Sequence, residues 1–286
     1  MKSDSLGERM KRYEAAAKQV LVPRTPVLAR IDGRAFHSFC RGLTKPYDAD
    51  FHACMWAAAT ALCKDVAGCK LAYVQSDEIS LLVTDYESVG QDRHFGYEVP
   101  KLCFTMAATA SVAFLAEFYK RFPERATRML QTGRGLPTFD ARVFNVPRED
   151  VCNLLIWRQR DAERNSLTMH AQAHYSHKQL HGQGKAAKHD LLHDVGVNWN
   201  DLPVPQRRGV CVVREAHEVP KVRPPIKDLG SDAAWVASVS DDLLNPAEGT
   251  TSRSRWVVDE DIPIFSTPEG RVYIERFVWP EVQEGS

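Results

Sequence analysis

Residues 70–85 read KLAYVQSDEISLLVTD, two apolar β-type runs separated by Ser76-Asp77-Glu78. That is the pattern of a β-hairpin, although Ser-Asp-Glu is not the Asn-Gly pair that tight hairpin turns favour. Upstream, DADFHACMWAAATALCKDV (48–66) predicts a well-buried helix, with Asp48 or Asp50 placed to cap it. Before that helix, VLARI (27–31) is a short buried strand that ends on Asp32-Gly33. Downstream, KLCFTMAATASVAFLAEFYKRF (101–122) predicts a second long apolar helix, and FDARVFNVP (139–147) a strand stopped by Pro147. The order strand, helix, hairpin, helix, strand is a split β-α-β arrangement. It implies an α+β, ferredoxin-like fold with an antiparallel sheet backed by two helices.

The flanks are less regular. Residues 5–20 predict a charged helix, and a helix from about 148 to 182 contains NLLIWRQRDAERNSL. GVNWNDLPVPQRRG (196–209) is turn-rich and closes this part. The runs VCVVREA, SRWVVDE and RVYIERFVW read as short strands. The expected organisation is therefore a catalytic domain over 1–147, further helices of that domain over 148–209, and a small β-rich C-terminal extension over 210–286.

Composition bounds the function. Of 286 residues, 44% are hydrophobic and 26% charged, as in ordinary globular proteins. Seven cysteines with no CxxC pair indicate reduced, packed thiols rather than a disulfide frame or zinc ribbon. No apolar run is expected to span a bilayer, and the N-terminus carries no signal-peptide core, so a cytoplasmic protein is expected. Thirty-seven basic and 37 acidic residues leave no net charge. This counts against a large non-specific nucleic-acid footprint, though not against a local basic face.

In the inferred sheet the first strand neighbours the hairpin, so Asp32 and the Asp77-Glu78 pair reach the same edge. Carboxylates gathered there repel one another unless a cation intervenes. Mg²⁺ is held through one or two carboxylates, waters and substrate phosphates, and Gly33 would let the backbone approach such an ion. Two such ions can activate a hydroxyl and stabilise a leaving oxygen in phosphoryl transfer. Taken singly, Asp-Gly reads as a surface turn and Ser-Asp-Glu as a solvated hairpin. Spacing alone leaves the metal site and the pair of turns both open.

The motifs RIDGRAFHSF, KPYD (45–48), YVQSDEIS (73–80), FDARVF (139–144) and WRQRDAERNSL (157–167) occur in the order and spacing of one family. Together with GKAAKHDLL and GVNWNDLP, they resemble the tRNA-His guanylyltransferase family over roughly residues 10–208. The resemblance implies a polymerase-type palm that adds nucleotides to a 5′ end, running 3′→5′. It implies that Asp32, Asp77 and the Gly33 carbonyl ligate two Mg²⁺ ions, with Glu78 a close acidic neighbour among the catalytic acids. It further implies that Arg34, Ala35, Phe36, His37 and Ser76 line the nucleotide site, and that Arg30, Lys45, Lys101 and Lys188 contact triphosphates. ATP and GTP or another NTP would be substrates and tRNA the partner. The expected assembly is a homotetramer, a dimer of dimers.

Glu163-Arg164-Asn165-Ser166 stands where eukaryotic members carry His-Ile-Asn-Asn. That departure is similar to the Thg1-like bacterial and archaeal branch, which implies template-dependent repair of 5′-truncated tRNA rather than strict G−1 addition to tRNA-His. Two rivals remain at this stage: a nucleotide or diguanylate-cyclase-like signalling enzyme on the same palm, and a non-catalytic RNA-binding protein. The hairpin turn lacks the Gly-Gly-Asp/Glu-Glu-Phe of such cyclases. His170, His174, His177 and His181 are spaced to share one helical face. A polar face that meets RNA phosphate or a neighbouring subunit is favoured there over a zinc site.

Overall fold

The computed structural model of the chain describes residues 5–88, 90–220 and 250–279. The described residues fall into two units, one within 1–213 and 258–286, the other within 214–257. In chain order the elements are α1 (Leu6–Ala15), β1 (Val27–Gly33), α2 (Phe36–Phe39), α3 (Ala49–Asp65), β2 (Cys69–Gln75), β3 (Glu78–Val83), α4 (Val99–Arg121), α5 (Pro123–Thr132) and β4 (Phe139–Asn145). They continue with α6 (Arg148–His174), α7 (His177–Leu180), α8 (Lys185–Asp194), α9 (Val204–Arg208), β5 (Val210–Pro220), β6 (Thr250–Asp259) and α10 (Pro268–Val278).

The sheet order is β4-β1-β3-β2-β5-β6, and β1 lies antiparallel between β3 and β4. The first four strands with α3 and α4 make the expected ferredoxin-like split β-α-β unit. Strand alternation gives the sheet two chemically different faces. Ala29, Ile31 and Gly33 look toward α3 and α4. There Phe51, Phe114 and Phe139 meet the Phe36 ring edge to face, with ring centroids 5.0–6.0 Å apart. Burying each such ring stabilises the fold by about 1.5–3 kcal/mol. The opposite face carries Arg30 and Asp32, whose register partners are Ser80 and Glu78 on β3, and Arg142 and Asp140 on β4. That polar face meets α6.

Helix α3 starts where Asp48 accepts the Phe51 N–H at 2.9 Å. The same carboxylate accepts the Thr44 N–H at 2.9 Å, which ties down the approach to the helix. The hairpin turn is only two residues, Ser76 and Asp77, because Glu78 already pairs with Gln75. Ser76 takes the positive φ (49°) that so tight a turn demands.

Four expectations need correction. Helix α4, 23 residues, is by length and composition apolar enough to cross a membrane. Its Leu102, Met106, Ala110, Phe114 and Phe118 are instead buried within this fold, at the spacing of one helix face. The run RVYIERFVW is helical rather than β: Gly270, Ile274 and Val278 are buried at i, i+4, i+8 under an N-cap by Thr267. The helix expected over 148–182 stops at His174, where Tyr175 and Ser176 turn extended. His170 and His174 are therefore on a different helix from His177, and the four do not share a face. Finally, α1 is shorter than the helix expected over 5–20. The run SRWVVDE forms β6 as expected, whereas the Pro/Gly-rich stretch 221–249 lies outside the described residues.

Candidate active site

The site is assembled at the end of β1. Gly33 donates its N–H to the Asp77 carbonyl at 2.9 Å, and Arg34 donates to the Thr138 carbonyl at 2.8 Å. These two bonds pin the strand end between the hairpin turn and the start of β4. Asp32 and Asp77 thereby come to one edge of the sheet. Burial raises the Asp32 carboxyl above the ordinary range, and the charge of Asp140 raises it further against the pull of Arg30, Arg142 and Arg158. Burial also raises Asp77, with the charge of Asp32 the next cause. Two acids that are each harder to ionise than usual, and that oppose each other's ionisation, make a hard-oxygen pair suited to a divalent cation. The donor set fits Mg²⁺. Among the described residues no group of three or more His, Cys, Asp or Glu side chains forms a metal cage, the histidines of 170–193 included.

Gly33 has a packing reason as well. A Cβ there would lie 2.5 Å from the Phe36 ring, which folds back under the strand end. Ala35 adopts a left-handed conformation (φ 57°) and sends the chain into α2. Phe36 is 2% exposed and belongs to the aromatic core. Of the expected nucleotide floor, Arg34, Ala35 and His37 are exposed, whereas Phe36 anchors the loop from below.

Glu78 is differently engaged from what the sequence implied. Arg158 of α6 donates to both its oxygens, Nε to Oε1 and Nη2 to Oε2, each at 2.7 Å. Arg30 Nε lies 3.7 Å from Oε2, and Ser80 Oγ donates to Oε1 at 3.4 Å. Arg158 is 5% exposed, so this is a buried ion pair. Arg158 and Asp140 are the neighbours that sequence reasoning missed. The alternation of FDARVF could have placed Asp140 opposite Asp32, but no local signal pairs Arg158 with an acid 80 residues away.

Beside the turn, a cavity of about 210 Å³ is lined by Lys45, Thr44, Asp48, Cys40, Ser76 and Gln172. It brings the expected Lys45 and Ser76 together between the α2–α3 connection and α6. On its other flank Ser76 meets Tyr47, Asn165 and Arg207 in a second recess. Tyr47 stacks on His52, rings 4.0 Å apart and 7° from parallel. Burial lowers the His52 imidazole to about 4, so it is neutral at pH 7. Two expected triphosphate contacts are not brought to Asp32 and Asp77. Lys101 sits at the start of α4, paired with Glu98 at 3.2 Å. It precedes by ten residues Ser111, whose Oγ accepts the Phe139 N–H near the site, which is about 15 Å of helix. Lys188, on α8, donates to Thr168 Oγ1 at 3.0 Å and lines a different cavity.

An antiparallel sheet with two acids at one strand end and an adjoining hairpin, backed by two helices, is a polymerase-type palm. A family model described as tRNAHis guanylyltransferase matches residues 7–147. The tRNA(His) guanylyltransferase of Debaryomyces hansenii is 30% identical over 222 residues, covering 73% of this chain and 80% of that protein. A bacterial tRNA(His) guanylyltransferase-like protein solved in complex with ATP superposes with a TM-score of 0.76 at 35% identity, covering 96% of this chain and 99% of that one. One solved in complex with GTP gives 0.70 at 32% identity, covering 96% and 100%. The chain belongs to the tRNA(His) guanylyltransferase family and is a nucleotidyltransferase. The cyclase-like and non-catalytic alternatives fall away.

Proposed function

We propose that the chain is a Mg²⁺-dependent 3′→5′ nucleotidyltransferase that extends tRNA 5′ ends, using ATP and GTP or another NTP, and that it repairs 5′-truncated tRNA by template-directed addition. The observation that carries this is the Gly33 N–H bond to the Asp77 carbonyl, which sets Asp32 and Asp77 side by side. Similarity to bacterial proteins solved with ATP and with GTP supports the choice of substrates. Glu163-Arg164-Asn165-Ser166, in place of the eukaryotic His-Ile-Asn-Asn, supports the repair branch.

Asp32, Asp77 and the Gly33 carbonyl would hold two Mg²⁺ ions, which when bound supply charge stabilisation for nucleotidyl transfer. Lys45 and Ser76 flank the cavity that would receive the incoming nucleotide, and Arg34 is exposed at the strand end to meet phosphate. His52, neutral at pH 7, stacks beneath Tyr47 on that side of the cleft. A homotetramer built as a dimer of dimers is part of the same reading, and the exposed Phe104, Val112 and Tyr119 on α4 support burial against another copy. Light scattering measures the assembly directly.

The deciding assay supplies 5′-labelled tRNA lacking its first nucleotide, with Mg²⁺, ATP and each NTP separately. Extension only by the NTP that pairs with the opposite strand is the expected result. Addition of G regardless of template would make the enzyme a strict G−1 transferase. No extension, with Asp77→Ala indistinguishable from wild type, would sink both.

A further inference from the structure

The chain as a whole has no net charge, yet one cavity gathers cations. It measures about 570 Å³ and lies between α6 and the start of α8, lined by Arg160, Glu163, Arg164, Thr168, Lys185 and Lys188. We propose that this cavity seats phosphodiesters of the RNA backbone, apart from the nucleotide cleft beside Ser76. The inference rests on the tRNA-end reading above.

Four cations face a single carboxylate there. Among the described residues Arg160, Lys185 and Lys188 have no carboxylate within ion-pair distance, and Arg164 shares Asp161 with Arg158. Lys188 is steadied by its bond to Thr168 Oγ1 across the cavity. The ten-residue α8 starts at Gly184, which offers no side-chain cap. Its leading N–H groups add the positive end of a helix to the same space. The two walls are held as one piece by Leu167, Ala171, Leu192 and Trp199. Two hydrogen bonds help: Tyr175 OH to the Leu191 carbonyl at 2.7 Å, and Trp199 Nε1 to Ser166 Oγ at 3.0 Å.

The chemistry favours a phosphodiester over a nucleoside triphosphate. A metal-bound triphosphate wants paired carboxylates to hold the metal, and the lining of this cavity holds the single carboxylate of Glu163. Here the cations are spread over two helices, as suits singly charged phosphates along a strand. Position agrees. Ala162, Asn165 and Ser166 face the recess beside Ser76, while Arg160, Arg164 and Leu167 lie on the opposite side of the same turns. The two sites are thus separated by about one helix diameter, ~10 Å, or roughly three nucleotide steps. A strand whose end lies at Asp77 would cross α6 here.

The test measures tRNA binding by fluorescence anisotropy over a salt series, and ATP binding alongside, for Arg160→Ala, Lys185→Ala and the double variant. The double variant should bind tRNA about tenfold more weakly, with the slope of log K against log salt shallower by about 1.5, and bind ATP as wild type does. Both side chains are exposed, so melting temperatures should hold; Arg160→Gln with Lys185→Gln repeats the test if they do not. Unchanged tRNA affinity and slope would overturn the proposal. A matching loss of ATP affinity would overturn it in favour of a triphosphate subsite. Wild-type protein that binds no tRNA at all would instead refute the functional reading on which it stands.

Discussion

Asp77 and Glu78 are adjacent in the chain and opposite in role. Asp77 sits in the turn, where burial and the charge of Asp32 make ionisation costly; among the described residues no Lys, Arg or His side chain forms an ion pair with it. Glu78, one residue into β3, has both oxygens taken by Arg158. One hairpin thus leaves one acid at the turn beside Asp32 and ties the next to α6 through Arg158.

The largest way to test that contrast is to neutralise each acid. Asp77→Asn should lower nucleotide addition by about 10³-fold, equivalent to ~4 kcal/mol of lost transition-state stabilisation, while leaving the fold intact. Single-turnover kinetics on the truncated tRNA read this out. Glu78→Gln leaves the Arg158 charge buried and unpaired, which costs about 3–5 kcal/mol and lowers the melting temperature by roughly 10 °C. Turnover per folded molecule at low temperature should change far less. Replacing the pair together, Glu78→Leu with Arg158→Met, should recover most of the stability. If it does not, the pair does more than bridge sheet and helix.

A smaller effect comes from the imidazole stacked under Tyr47. His52 is held down to about 4 by burial, below its ordinary value near 6.5. Between those two values the unfolded chain binds a proton that the folded chain refuses, so stability falls as pH drops through that window. The loss is on the order of 2 kcal/mol, and His52→Gln should flatten it in denaturant titrations at pH 4.5 and 7.

The smallest effect returns to the acids. Both Asp32 and Asp77 are raised, so they favour the folded state while protonated and that contribution is lost as pH rises through their folded values. Mg²⁺ should offset this at neutral pH and raise the melting temperature by a few degrees, ~1 kcal/mol. Glu78→Gln should keep that response and Asp77→Asn should lose most of it. Equal responses would mean that the cation binds elsewhere.

Much of the palm was readable before any coordinates. Local patterns sufficed for β1, α3, the hairpin, α4 and β4, because each element alternates or repeats in its own sequence. From those, topology alone put Asp32 beside Asp77. What escaped were contacts between distant residues. The final helix reads locally as a strand because Val, Tyr and Ile favour strands, whereas its 270, 274, 278 spacing is satisfied only by packing in the fold. The histidine face failed because Tyr175 and Ser176 break the helix between two correctly spaced pairs.

By itself, then, the amino-acid sequence determined the order of the palm elements from β1 to β4 and the family, since these depend on residue types and short-range periodicity. Only the tertiary structure decided that Glu78 pairs with Arg158, that the Phe36 ring is buried in the aromatic core, that Lys101 sits at the start of α4 paired with Glu98, and that Lys188 joins Arg160 and Lys185 in a separate basic cavity. Those outcomes depend on which side chains meet across the fold, and burial and charge pairing are properties of the meeting, not of either residue alone.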